Sequence, residues 1–167
     1  MRNPFRVFLT VLALSAISVA KVNVELKDGN GKSVGSAVLS EQRGLVIQLN
    51  LHDLPPGEHG IHIHQNATCE APDFKTAGPH FNPDNKKHGL KNPEGHHAGD
   101  MQNIRVGTNG KSQTRVVNPD LNLGNDSHSI FSNGGSALVI HAKADDLKTD
   151  PAGNAGDRIA CGVIKKQ

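Results

Sequence analysis

Gly60-Ile-His-Ile-His64 sets two imidazoles two residues apart. In a β-strand that spacing puts His62 and His64 on one face and Ile61 and Ile63 on the other. Such a strand needs an apolar core on one side and polar company on the other. The company is present further along the chain, where metal-ligand types recur at His80, His88, His97 and Asp100 and close at His141.

Between Ala77 and Asp100 the chain is rich in Gly, Pro, Asn and Asp, a composition that favours a long loop over helix or strand. Loops of that length in a compact domain are usually functional or disordered, and bound metal is one way of ordering them. Three imidazoles and a carboxylate (His80, His88, His97, Asp100) are the donor types of a closed tetrahedral zinc site.

Elsewhere short apolar alternations are separated by turn residues. Val22-Val24-Leu26, Ser36 to Leu39, Leu45 to Leu51, Asn103 to Val106, Gln113 to Val117, Ser136 to His141 and Arg158 to Ile164 read as strands. Thr108-Asn-Gly110 is a hairpin signal between two of them. No amphipathic helix stands out, with Ala142 to Lys148 the one stretch expected to make a helical turn. The spacing predicts an all-β antiparallel sandwich or flattened barrel, with no repeat or second domain.

Residues 1–20 carry Arg2 and Arg6, an apolar stretch from Val7 to Val19, and the small-residue ending Ser18-Val-Ala20. This is the pattern of a cleaved signal peptide, and the apolar stretch is short for a membrane span. A 1–20 leader and a 21–167 domain are therefore expected, with no stable membrane anchor after cleavage. Its removal takes two arginines and no acids, leaving 16 basic and 16 acidic residues. A neutral domain whose aromatics are Phe74, Phe81 and Phe131 offers neither a basic patch nor stacking surface for nucleic acid.

From Lys21 to Ile164 the chain resembles the Cu,Zn superoxide dismutase family. The resemblance rests on Gly60-Ile-His-Ile-His64, Gly78-Pro-His-Phe-Asn-Pro83 with Lys87-His-Gly89, His97-Ala-Gly-Asp100, Val139-Ile-His-Ala-Lys-Ala-Asp-Asp-Leu147, and Gly153 to Ile164. It implies an eight-stranded antiparallel Greek-key β-barrel with long metal-binding and electrostatic loops. It also implies copper on His62, His64, His80 and His141 and zinc on His80, His88, His97 and Asp100, with His80 shared. Copper would carry electrons between two superoxide molecules while zinc holds the loop.

The same resemblance makes Asp145 the carboxylate that links His62 to His88, and Arg158, three residues before Cys161, the cation that receives superoxide. It ties Cys69 to Cys161, as an oxidising compartment also favours. His59 is expected to be structural, and His96, His52 and His128 to lie outside the metal sets. The segment 143–157 is shorter than the corresponding loop of many eukaryotic members, which leaves any further steering lysines unassigned. A periplasmic or secreted dismutase is the expectation, with a homodimer left open. The alternative is a dismutase-like copper- and zinc-binding protein without turnover.

Overall fold

A computed structural model describes residues 21–166, so the expected 1–20 leader lies outside the described residues. The strands are β1 (Lys21–Asp28), β2 (Ser33–Glu41), β3 (Leu45–Leu51), β4 (Gly57–His59), β5 (Ile61–His64), β6 (Ile104–Val106), β7 (Ser112–Asn118), β8 (Ser136–His141) and β9 (Arg158–Ile164). Seven of them form one antiparallel sheet in the order β5-β8-β9-β1-β2-β3-β7, and β4 pairs with β6. β4 runs into β5 through Gly60, so one continuous stretch changes sheets. At the opposite edge β6 leads by a short turn into β7. The β4–β6 ladder therefore joins the two edges of the large sheet and curls it into a barrel, removing edges that would otherwise be left unpaired.

Alternation accounts for the core. β1 buries Val22, Val24 and Leu26 and exposes the residues between them, while β3 buries Leu45, Ile47, Leu49 and Leu51. β5 and β8 are buried on both faces. Ile61, Ile63, Leu138 and Ile140 face the main core, whereas Ala137 and Val139 join Phe74, Ala77 and Cys161 in a second apolar cluster beneath the loop after β5. His62 and His64, opposite Val139 and Ala137 in the ladder, share this second face.

The outer edge of β5 is not left bare. Gly99 O accepts from Ile63 N at 2.9 Å, Ile63 O accepts from Phe81 N at 2.8 Å, and Gly99 N donates to Phe81 O at 2.8 Å. These bonds dock the segments carrying His80 and Asp100 directly against the His62-x-His64 strand, as the bridges His64↔His80 and His62↔Asp100 record. Gly99 permits the approach, since a Cβ there would lie 2.3 Å from Ile63 O and 3.1 Å from Phe81 N.

Two local expectations change. The Thr108–Gly110 turn is present, with Gly107 N donating to Lys111 O at 2.9 Å, but its flanking strands separate, β6 pairing with β4 and β7 with β3. Barrel closure, rather than the turn, sets the register of β6. Ala142 to Lys148 forms no helical turn. The Asp145 carboxylate accepts Leu147 N at 2.6 Å and Asp146 accepts Lys148 N and Thr149 N, so side chains take up main-chain groups that a helix would need.

Cys69 and Cys161 form a disulfide that closes a loop of sequence separation 92. The chain-entropy relation assigns a cross-link of this span about 4 to 5 kcal/mol, and measured bridges commonly deliver less. Replacing both cysteines by alanine is expected to lower the unfolding free energy by about 2 to 4 kcal/mol in urea titration. An unchanged urea midpoint would contradict this.

Candidate metal centre

His62 and His64 project from β5, His141 from the end of β8, and His80, His88, His97 and Asp100 from the long loop. All seven are buried, and their donor atoms fall into two sets: His62, His64, His80, His141 and His80, His88, His97, Asp100. Within each set the donors lie within 4.8 Å of one another. Every residue expected in the two sets is thus brought into them, and His80 stands in both.

Outer hydrogen bonds fix which ring nitrogen faces inward. His64 Nδ1 donates to Gly78 O at 2.8 Å and His141 Nδ1 to Gly156 O at 3.2 Å, which turns their Nε2 atoms toward each other at 3.4 Å. His62 Nε2 donates to Asp145 Oδ2 at 2.7 Å, so its Nδ1 points into the first set. His88 Nε2 meets Asp145 Oδ1 at 3.1 Å, so its Nδ1 points into the second. One carboxylate thereby sets the orientation of a ring in each set. Asn103 clamps that carboxylate's own backbone, accepting Asp145 N at 2.9 Å and donating to Asp145 O at 2.8 Å.

His80 has no such outer partner. Its Nδ1 lies 2.9 Å from Asp100 Oδ1, and its buried Nε2 has no hydrogen-bond partner, a condition shared by His62 Nδ1. Buried polar atoms are rarely left without a partner, and two that converge on one point fit a bound cation. In the second set Asp100 Oδ1 faces Nδ1 of His80, His88 and His97 at 2.9, 3.0 and 3.2 Å, and the His80 and His97 Nδ1 atoms are 3.4 Å apart. A tetrahedral zinc with bonds near 2 Å separates its donors by about 3.3 Å. Asp100 Oδ2 is held by Gly89 N at 2.8 Å and His97 N at 3.1 Å, which leaves Oδ1 to face the three rings.

In the first donor set the electrostatics agree with cation binding. Burial lowers His62 and His141 to about 4, and burial with the neighbouring His62 lowers His80 to about 3, so these rings are neutral, the form that ligates. Burial also takes His64 well below its ordinary value. His88 moves the other way, to about 9, because the Asp100 and Asp145 carboxylates outweigh its burial. Burial opposes ionisation of both aspartates, yet hydrogen bonds from the rings and the main chain hold each well below the ordinary carboxylate range.

Arg158 opens β9. Its two terminal nitrogens donate to Phe74 O and Gly78 O, each at 2.7 Å, and Gly78 O also receives His64. The guanidinium is therefore fixed beside the first donor set, by a loop that Cys69–Cys161 pins to the same strand. A cavity of about 880 Å³ opens onto Arg158, His64, His80 and His141, with Lys86 and Lys87 also in its wall. Lys87 is paired with Asp150 at 3.6 Å, and Asp150 accepts His88 N at 2.7 Å. Gly153 is close behind, where a Cβ would collide with the Asp145 carboxylate and lie 2.7 Å from His88 Nε2.

The remaining histidines fall outside both sets. His59 is buried between His141 O and Pro55 O, each at 2.8 Å. His96 pairs with Asp120 at 2.8 Å, His128 with Asp120 O at 2.8 Å and Asp84 at 3.2 Å, and His52 lies near Asp53 at 3.4 Å. Asn103 and Asp150 were not singled out by the sequence reading. Both act through main-chain groups, and no spacing of residue types marks such roles.

A closed antiparallel barrel that carries two donor sets sharing one imidazole has the side chains of a metal-binding protein. Residues 33–164 match the family model described as copper/zinc superoxide dismutase. A superoxide dismutase [Cu-Zn] of Aquifex aeolicus is 48% identical over 160 residues, covering 94% of each chain. The Brucella abortus Cu/Zn superoxide dismutase superposes with a TM-score of 0.73 at 32% identity, covering 87% of this chain and 100% of that one. A SOD-like protein from Bacillus subtilis superposes at 0.83 with 42% identity, covering 88% and 99%. The chain belongs to the copper/zinc superoxide dismutase family.

The shifts fix the pH response of the metal-free protein. For His62, His80 and His141 the folded value lies below the unfolded 6.5, so the stability they support is present above 6.5 and is lost as pH falls toward about 4. For His88 the folded value is raised, so its contribution is full below 6.5 and is lost as pH rises through about 9. The melting temperature of the metal-free protein should therefore peak near neutrality and fall on both sides. A constant melting temperature from pH 6.5 to 4 would contradict the buried neutral rings.

Proposed function

We propose that this chain converts two superoxide anions and two protons to dioxygen and hydrogen peroxide, with copper on His62, His64, His80 and His141 and zinc on His80, His88, His97 and Asp100. The observation that carries this reading is His80, whose two ring nitrogens face separate donor sets and whose Nε2 has no protein partner. When bound, copper supplies a one-electron couple and zinc supplies fixed positive charge without redox change. One relative is described only as SOD-like, so the support for turnover is sought in the chain's own residues.

His80 borders the cavity, and its Nε2, buried and without a protein partner, can hold a proton for the departing peroxide while Nδ1 stays with Asp100 in the second set. Arg158 commits two of its N–H groups to carbonyls and keeps others free, enough to orient a small anion beside His141 and His64. Phe74 O and Gly78 O hold the guanidinium in place, which lessens the ordering cost when the anion arrives. Lys86 and Lys87 add positive charge to the same wall, with Lys87 partly offset by Asp150.

Export to a periplasmic or extracellular compartment is part of the same reading, supported by the leader pattern of residues 1–20 and by a disulfide suited to oxidising conditions. N-terminal sequencing of the exported protein should begin at Lys21. A soluble, active product beginning at Met1 would sink the leader.

Arg158→Glu tests the active site. At equal copper occupancy, pulse radiolysis should show superoxide decay slowed by an order of magnitude or more, with copper affinity changed far less. Salt should slow the parent, because attraction at the cavity mouth is screened over about 10 Å at 0.1 M. It should slow the variant less or speed it. Equal rates and equal salt slopes would remove Arg158 from the anion entrance, and absence of turnover in the copper- and zinc-loaded parent would leave a metal-binding protein instead.

A further inference from the structure

We propose that Asn118 is a positioning residue for zinc, setting the turn that carries His97 and Asp100 before the metal arrives; this rests on reading that turn as zinc-binding. Asn118 ends β7, pairs with Leu45 in the register of the sheet and is 2% exposed. Its Nδ2 donates to Ala98 O at 2.8 Å and to Asp100 O at 3.2 Å, and its Oδ1 accepts Asp120 N at 2.9 Å. Two carbonyls on one side and an N–H on the other fix the orientation of the amide.

The turn it holds has little of its own. Residues 97–103 include no strand; their local bonds are Asp100 N to His97 O and His97 N to Asp100 Oδ2, each at 3.1 Å, and Gly99 alone is docked on β5 and Phe81, which leaves Ala98 O and Asp100 O to Asn118. β7, by contrast, is paired along its full length with β3. The amide therefore transfers the rigidity of a sheet strand to the main chain of a ligand turn. Asp120 extends the hold, because its carboxylate takes His96 Nε2 at 2.8 Å, on the residue immediately before His97. Asp120 O also receives His128 Nδ1 at 2.8 Å, and His128 Nε2 reaches Asp84 at 3.2 Å in the segment between His80 and His88. One corner at the end of β7 thus reaches both arms of the loop.

Metal affinity includes the free energy of ordering the ligands, so a turn already held binds more tightly than one ordered on binding. Asn118→Ala removes the tether and leaves Ala98 O and Asp100 O without it. Asn118→Asp keeps the shape but replaces the donor by an oxygen facing two carbonyl oxygens. Outer partners of metal ligands commonly account for about ten- to a hundredfold in affinity. Zinc affinity is therefore expected to fall about tenfold in Asn118→Ala and further in Asn118→Asp.

The test uses the full chain from Lys21, stripped of metal, with zinc titrated against a chromophoric chelator and melting measured with and without zinc. Cobalt(II) in the same set supplies a spectrum sensitive to ligand geometry. Weaker zinc binding, a smaller zinc-induced rise in melting temperature and a shifted cobalt spectrum support the proposal. Zinc affinity within twofold of the parent, or melting lowered equally with and without zinc, overturns it and leaves Asn118 with a structural role. If neither of these variants folds, Asn118→Gln decides, since it keeps an amide but displaces its donors from Ala98 O and Asp100 O by one methylene, and it should weaken zinc about threefold. Unchanged zinc affinity in that variant overturns the proposal, and a parent that binds no zinc overturns it together with the reading of the site.

Discussion

Neutral imidazoles converge with their lone pairs facing one another inside this protein, and that arrangement is costly unless a cation sits among them. The protein holds it open by fastening the opposite nitrogen of most of the rings. Gly78 O, Gly156 O and Asp145 each take a ring N–H from outside the first donor set, and these bonds turn the lone pairs of His64, His141 and His62 inward. His80 is not fastened in this way and is fixed instead by the docking of its own backbone against β5. Because it needs no outer hydrogen bond, both its nitrogens remain for metal.

The barrel supplies what these bonds require. Two-sided burial of β5 and β8 gives His62, His64 and His141 an apolar floor, and the ladder between those strands keeps them in register. The loop is then attached at separate points: bonds from Phe81 and Gly99 to β5, the disulfide at Cys69, and the corner after β7. Arg158 depends on the same construction. It neighbours Cys161 on β9, and the carbonyls that hold it belong to the segment that the disulfide secures. Fold stability, ring orientation and guanidinium placement consequently share parts.

Much of this was legible in the sequence. Alternation in β1, β3 and β5 marks a half-apolar strand directly, and the residue types of both donor sets stand at spacings that the family resemblance organises. What was hidden depends on closure or on main-chain contacts. Gly60 to His64 reads as a strand, but nothing in the side chains before it reports that Gly57 to His59 form β4 in a different sheet. β6 leads into a good hairpin turn, yet the barrel pairs it with β4. Asn103 and Asn118 work through carbonyl and amide groups of residues distant in the chain, so their importance appears only when those groups are placed. The expected helical turn at 142–148 failed for a related reason: Asp145 and Asp146 spend their carboxylates on nearby N–H groups.

The shared imidazole is the central claim, and anomalous diffraction from crystals loaded with both metals, recorded at the copper and zinc edges, tests it most directly. The account predicts two ions on opposite sides of the His80 ring, copper at Nε2 with His62, His64 and His141, and zinc at Nδ1 with His88, His97 and Asp100. A single ion, or two ions of which either lies away from His80, would contradict it.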